Sequence, residues 1–136
     1  MKVENEVRPS PENIKAFLAT EGPVVMVNLL RFREKASYPD GRDPELSGRD
    51  AYLRYAREMK KLVEGDGGRF LFGGSVVGML LGKVEEPWDE VGLVEYPSAA
   101  TLLKISSSPA FQEIEVHRAA GLAGQLNITT RRSERA

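Results

Sequence analysis

The sequence predicts an α+β fold in which an antiparallel sheet carries its helices on one face. The first observation is the apolar run at 24–32, which follows Gly22-Pro23 and has the pattern of a central strand covered on both faces. The second is an amphipathic helix at 50–64, whose apolar side chains recur every three or four positions. The third is the order of the predicted elements. Without the first helix it reads βαββαβ, the ferredoxin-like arrangement.

The chain has 136 residues, a length that predicts one domain over 1–136. Within it we assign an N-terminal arm at 1–9, an extra helix at 10–20, the ferredoxin-like core at 24–129 and a polar tail at 131–136. The arm and the tail are assigned from their polar composition, because neither shows the periodicity of a helix or a strand.

Each predicted helix begins at a serine that can accept a hydrogen bond from the backbone of its first turn. We expect the last helix to end at Gly121 or Gly124. The remaining strands are predicted at 69–81, as one kinked strand or two short ones because glycines interrupt it, at 88–96 and at 126–129. The four predicted N-cap serines are Ser10, Ser47, Ser98 and Ser108.

Residues 33–47 are charged, contain Pro39 and Pro44, and show the periodicity of neither a helix nor a strand. They predict a long loop. Loops of this length often cover a functional site, and a plain surface excursion fits the sequence equally well.

Composition excludes several classes of function. The net charge of -1 provides no field for nucleic acid or an anionic membrane, and the absence of cysteine excludes disulfides and thiolate chemistry. One histidine and scattered acids form no metal-ligand pattern, so we expect neither a metal nor another cofactor. No secretory leader and no apolar run of about 20 residues is present, which predicts a cytoplasmic protein.

The central strand is apolar on both of its faces, although a ferredoxin-like sheet has helices on only one. An apolar sheet face of this size does not stay wet in a stable monomer, and a second copy of the same face is its simplest cover. We therefore expect a homodimer formed through the sheet face. One face of the strand carries Val25, Val27 and Leu29, and the other carries Val24, Met26, Leu30 and Phe32.

The strand at 24–32 is followed by four short motifs: GGR at 67–69, WDEV at 88–91, YPS at 96–98 and SPAFQ at 108–112. In this order and spacing they resemble the DUF1330 group of dimeric α/β-barrel proteins. The resemblance implies the fold and the dimer but no activity. The barrel superfamily includes cofactor-free oxygenases, haem-degrading enzymes and proteins without known catalysis, so the fold does not select among them. The loop at 33–47 is long for the group.

Two candidate site residues lie on the predicted helix that begins at Pro109. Arg118 projects into its apolar arc and His117, the one histidine, lies at the border of that arc. One interpretation is a pocket in which His117 is an acid or base and Arg118 binds an anion. The other is structural, with His117 as a satisfied boundary residue and Arg118 paired with a carboxylate.

Three further candidates lie on the strands. Asn28 is an amide in an apolar strand, so it needs hydrogen-bond partners from the protein or from a ligand. Asp89 and Glu95 lie at the two ends of one strand face, where either could pair with Arg118 or act as a pocket base. A solvated strand end explains Asp89 as well.

Two functions from different classes remain open. One is a cofactor-free enzyme that acts on a small organic molecule, with His117 as acid or base and with Arg118 or Asn28 polarising an oxygen. The other is a dimer that binds a small molecule, or is purely structural, and catalyses nothing.

Overall fold

The computed structural model describes residues 8–133. The predicted arm and tail therefore lie outside the described residues, except for residues 8–9 and 131–133. The described part contains four helices and four strands. In chain order they are α1 (Pro11–Leu18), β1 (Val24–Phe32), α2 (Gly48–Gly65), β2 (Arg69–Ser75), β3 (Glu90–Tyr96), α3 (Ala99–Ser106), α4 (Pro109–Gly121) and β4 (Leu122–Thr130).

The strands form one sheet in the order β2-β3-β1-β4, and all neighbours are antiparallel. Strand β1 is central, with Val24 opposite Tyr96 of β3 and Val25 opposite Thr130 of β4. This topology confirms the predicted ferredoxin-like α+β fold.

Serine caps begin all four of these helices, as predicted. Each serine side chain accepts a hydrogen bond from a backbone N–H in the first turn, which satisfies a donor that has no partner within the helix. The pairs of cap and donor residue are Ser10 and Asn13, Ser47 and Asp50, Ser98 and Thr101, and Ser108 and Phe111.

The main core lies between the sheet and the helices. Alternate residues of β1 and β3 point towards the helices and pack against the inner face of α2 and against α3. The extra helix α1 joins this layer through Phe17, which packs on the core. The buried core residues are Val24, Met26, Tyr55, Met59, Val63, Val94, Tyr96 and Ile105.

Three strand boundaries differ from the prediction. Strand β2 ends at Ser75, where a hydrogen bond from the Val76 backbone N–H to Asp89 closes its pairing, and the apolar residues that follow form an exposed loop rather than more strand. Strand β3 begins at Glu90 rather than at residue 88. Strand β4 begins at Leu122 rather than at residue 126, because the small residues after Gly121 pair with the end of β1.

The loop at 33–47 is attached to the fold at several points. The backbone N–H of Ala36 donates to Leu46 at 2.7 Å and that of Ser37 donates to Ala120 at 3.0 Å. The ring of Tyr38 is buried in a second small core together with Ala36, Ala51 and Ala120. The loop therefore packs on the ends of α2 and α4.

Helices α2 and α4 approach closely at two glycines. A Cβ added at Gly48 would lie 2.1 Å from the Arg33 carbonyl oxygen and 2.7 Å from that of Gly121, and a Cβ at Gly121 would lie 2.4 Å from the Gly48 carbonyl oxygen. These neighbours are backbone atoms, so no side-chain rotation can relieve the overlap.

We predict that Gly48→Ala lowers the free energy of unfolding by about 2–3 kcal/mol, because the methyl group forces the start of α2 away from the backbones of Arg33 and Gly121. Gly65→Ala, in the same helix, is the matched control: nothing lies within 4 Å of the added Cβ, so we expect no loss or a gain of about 0.4–1 kcal/mol. Chemical denaturation measures both. Equal losses in the two variants would contradict the close approach.

A candidate ligand cavity between the helices and the sheet

A cavity of about 1360 Å³ lies between the helix-facing side of the sheet and the helices. It is open to solvent and is lined mainly by apolar and aromatic side chains. We call it the helix–sheet cavity. Its aromatic lining includes Phe17, Tyr52, Tyr55, Phe70, Tyr96 and Phe111.

The floor of the cavity is the centre of the sheet. Asn28 of β1 lies directly opposite Gly92 of β3, and both face the helices. Gly92 has no side chain, and a Cβ added there would meet only the Asn28 Cβ, at 4.0 Å. The sheet surface therefore has a shallow depression at this pair, and the cavity opens above it.

A chain of polar side chains crosses one wall. Arg118 of α4 donates from Nη2 to the Gln125 Oε1 at 2.5 Å, and Gln125 donates from Nε2 to the Asn28 Oδ1 at 2.9 Å. The Asn28 Nδ2 lies 3.4 Å from the carbonyl oxygens of Met26 and Gly92. Because a guanidinium can only donate, it fixes the orientation of the Gln125 amide, which in turn fixes that of Asn28.

Three tyrosines lie over the floor near this chain. Loss of surrounding water raises the pKa of Tyr52 and Tyr96 well above the usual value and raises that of Tyr55 to about 12. The positive charge of Arg118 opposes the shift at Tyr52 and Tyr55, which brings its guanidinium within electrostatic range of both hydroxyls. All three therefore remain neutral phenols at physiological pH.

Two carboxylates lie at the cavity edge, and each is paired. Glu90 accepts from the Arg49 Nη1 at 3.0 Å and from the Ser75 hydroxyl at 3.2 Å. Glu115 of α4 lies 3.0 Å from the Arg8 Nη1. These pairs keep the charge around the opening close to balance.

His117 lies away from the helix–sheet cavity, on the side of α4 that meets the 33–47 loop. Its Nδ1 is 2.7 Å from the Tyr38 hydroxyl, to which Arg54 donates from Nη1 at 3.3 Å. The tautomer of the imidazole decides which of these two groups donates: a neutral His117 with an unprotonated Nδ1 accepts from the Tyr38 hydroxyl. Burial, with the charges of Arg42 and Arg54, holds the pKa of His117 below its usual value.

The structure thus brings Asn28 and Arg118 together through Gln125 and separates His117 from them. Asp89 accepts a hydrogen bond from the Phe32 backbone N–H at 2.7 Å and so extends the pairing of β1 and β3. Glu95 lies on the opposite sheet face, where hydrogen bonds from Arg69 and then Arg132 lower its pKa. Neither is among the described residues that line the cavity.

Gln125 was missed by the sequence analysis. It is buried, and it is the link between the two candidates that line the cavity. The last strand is predicted at 126–129 and the last helix to end at Gly121 or Gly124, so Gln125 lies outside every predicted element. Starting that strand at Leu122 gives Gln125 the same parity as the helix-facing positions, and this alternation was the available signal.

Within residues 8–133, no group of three or more histidine, cysteine, aspartate or glutamate side chains is arranged to hold a metal ion. In the same range, no helix has both the length and the apolar character needed to span a bilayer.

Known proteins resemble this chain in sequence and in fold. The DUF1330 family model, described as a domain of unknown function, matches residues 44–130. The RPA0582 protein of unknown function from Rhodopseudomonas palustris is 32% identical, with a TM-score of 0.84 over 96% of this chain and 99% of that one. A structure of the methylated RPA0582 protein gives 34% identity, a TM-score of 0.86 and 96% coverage of both chains.

A dimeric ferredoxin-like protein of unknown function from Thermobifida fusca matches more distantly, with 11% identity and a TM-score of 0.51 over 82% of this chain and 92% of that one. Among curated proteins, none matches. Sheet order, helix placement and these matches define a protein of the ferredoxin-like α+β class. The chain belongs to the DUF1330 family, which confirms the resemblance found in its sequence motifs.

We predict that His117, the one histidine of the chain, titrates with a pKa below about 6.5, the value for a free imidazole. Arg42→Gln should raise this pKa because it removes a nearby positive charge, whereas Arg69→Gln, on the opposite sheet face, should leave it unchanged. NMR of the single imidazole measures all three. A wild-type pKa at or above the free value would contradict the effect assigned to burial and to the charges of Arg42 and Arg54.

The same shift fixes the sign of the pH dependence of stability. The unfolded chain takes up the imidazole proton at a higher pH than the folded protein does. The stability contributed by neutral His117 is therefore complete above about pH 6.5 and is lost as the pH falls from there towards the folded-state pKa.

Proposed function

We propose that this protein binds a small organic molecule in the helix–sheet cavity and that it does so as a homodimer. The observation that carries the binding proposal is the Arg118–Gln125–Asn28 chain in an otherwise apolar and aromatic wall. Ligand sites are typically apolar clefts with a few fixed polar groups that orient the ligand. The volume of about 1360 Å³ exceeds the range of about 300–1,000 Å³ usual for such sites, so size does not restrict the ligand to a very small one.

Binding without catalysis is the better supported of the two functions. An acid–base mechanism through His117 needs the imidazole within reach of the bound molecule, and its Nδ1 is instead occupied by Tyr38 on the loop side of α4. The tyrosines of the cavity have raised pKa values, so they stay protonated and provide no phenolate to act as a base. The polar wall is suited to holding an oxygen atom of a ligand rather than to moving a proton.

We predict that Gly92→Leu abolishes binding while the protein stays folded, because the new Cβ meets only the Asn28 Cβ, at 4.0 Å, and the rest of the side chain enters the space above the floor. Gly92→Ala is the matched control, since its methyl makes ordinary contacts. A thermal-shift screen of aromatic ketones, quinones and acids against the wild type supplies the probe, and calorimetry then measures its affinity for each variant. If Gly92→Leu binds the probe with the affinity of the wild type, the probe does not bind above Gly92 in the helix–sheet cavity.

The homodimer proposal rests on the sheet face that carries no helices. Phe72 and Ile128 are exposed on this face, and the apolar rows of β1 and β3 lie between them. The loop after β2 adds Val77 and Leu80, both almost fully exposed. An apolar surface of this extent is typical of an interface. The description of the Thermobifida fusca protein as dimeric supports the same arrangement.

We predict that the wild type scatters light as a particle of about 30 kDa, twice the 15.0 kDa of the chain. Ile128→Lys should dissociate it at micromolar concentration, because a charge is then placed in the apolar interface. Leu53→Lys is the control: Leu53 is similarly exposed, at 36% against 45% for Ile128, but lies on α2. A wild type of about 15 kDa, or equal dissociation by both substitutions, would disprove the sheet-face dimer.

A further inference from the structure

We propose that the hydroxyls of Tyr52, Tyr55 and Tyr96 are the hydrogen-bond donors for the ligand, and that the ligand is a neutral, flat apolar molecule carrying a carbonyl oxygen. This inference rests on the proposed binding function and specifies the chemical class that the helix–sheet cavity would take. The starting point is the three tyrosine hydroxyls, which make no hydrogen bond with the described residues.

Tyr55 and Tyr96 are 8% and 4% exposed, and both line the cavity. Among residues 8–133, no side chain or backbone group hydrogen-bonds to their hydroxyls or to that of Tyr52. Yet no side-chain nitrogen or oxygen in this range is both fully enclosed and without a hydrogen-bond partner. Each hydroxyl oxygen therefore touches open space, and the helix–sheet cavity is the space that these side chains share. A hydroxyl that opens onto the cavity and has no partner in the protein can donate to a ligand held there.

The fourth tyrosine shows the opposite arrangement. Tyr38 lies outside the cavity, and its hydroxyl has two partners, His117 at 2.7 Å and Arg54 at 3.3 Å. The chain thus satisfies the tyrosine hydroxyl that faces the protein and leaves those that face the cavity without a protein partner.

The three cavity tyrosines converge on one region. Tyr52 and Tyr55 are three residues apart on α2, which puts them on the same helix face, and their ring centroids are 5.3 Å apart. Tyr96 ends β3 on the sheet side of the cavity and interacts electrostatically with both. A ligand oxygen between the helix and the sheet can therefore be reached from two walls.

The amide groups of this wall are engaged within the protein. The Gln125 Oε1 and the Asn28 Oδ1 accept from protein donors, and the Gln125 Nε2 and the Asn28 Nδ2 donate to protein oxygens. The phenol hydroxyls are therefore the groups of the wall that have a hydrogen available for a ligand, and a carbonyl oxygen is a polar atom that accepts it.

A neutral acceptor fits this wall better than a carboxylate. The water loss that keeps the tyrosines protonated acts equally on an anion placed beside them. The charged residues at the cavity do not form a strong positive field either, because Glu90 and Glu115 line it together with Arg8 and Arg118. The aromatic rings around the floor favour a flat apolar body.

The test uses three probes of one shape: acetylnaphthalene, ethylnaphthalene and naphthoate, all substituted at the same ring position. The first has a neutral carbonyl, the second lacks oxygen and the third is an anion. We expect the full-length wild type to bind acetylnaphthalene about 10-fold more tightly than ethylnaphthalene, as for one or two hydrogen bonds, and more tightly than naphthoate.

Tyr55→Phe and Tyr96→Phe should each weaken acetylnaphthalene binding by about 3–10-fold and leave ethylnaphthalene binding unchanged. Their melting temperatures should be equal to or above that of the wild type, because the lost hydroxyls make no hydrogen bond within the protein. Tyr38→Phe is the matched control. It should lower the melting temperature, because it breaks the contacts to His117 and Arg54, without changing the affinity for any probe.

The outcomes separate the two proposals. If none of the three probes binds, this inference is overturned, and the wider thermal-shift screen decides separately whether the proposed binding function stands. If ketone and hydrocarbon bind equally and neither cavity substitution changes this, binding stands and the tyrosine assignment is overturned. If naphthoate binds most tightly, the neutral class is overturned.

Discussion

Strand β1 is hydrogen-bonded along both edges, and the rest of the structure depends on this position. With β3 on one side and β4 on the other, its backbone groups are satisfied inside the sheet, so its side chains determine what packs above and below. On the helix side the row is apolar apart from Asn28. That one amide is half-buried among apolar side chains and needs hydrogen-bond partners, and Gln125 on the neighbouring strand supplies one. The polar wall of the cavity is thus a consequence of one residue in the central strand.

The cavity persists because the helices are supported at both of its ends and not above its floor. At one end Val24 and Tyr96 pack against α2 and α3. At the other, Gly48 and Gly121 bring α2 and α4 into backbone contact. Between these supports the sheet carries Asn28 and Gly92 in place of large apolar side chains. The helices cannot pack closer to the sheet here without losing their contacts at the two ends. Close packing elsewhere is what keeps this space open.

The sequence predicts the fold well because the signals for it are local. Each serine cap lies within three residues of the backbone N–H that it accepts from, and the apolar run of β1 needs no knowledge of its neighbours. The sequence predicts the candidate site less well than the fold. Asn28 and Arg118 are recognisable as polar groups in apolar patterns, but their connection runs through Gln125, in a strand whose start is hidden by small residues. The partner of His117 is Tyr38, which lies in a loop without periodicity, so no pattern links the two.

The hydrogen bonding of the tyrosines follows from what each hydroxyl faces. The side chains of Tyr55 and Tyr96 are buried, but their hydroxyls open onto the cavity, so neither is an enclosed polar group without a partner. The Tyr38 hydroxyl lies within the protein, and there His117 and Arg54 both contact it. The difference between these tyrosines is therefore a difference in what they face, the protein itself or the open space of the cavity.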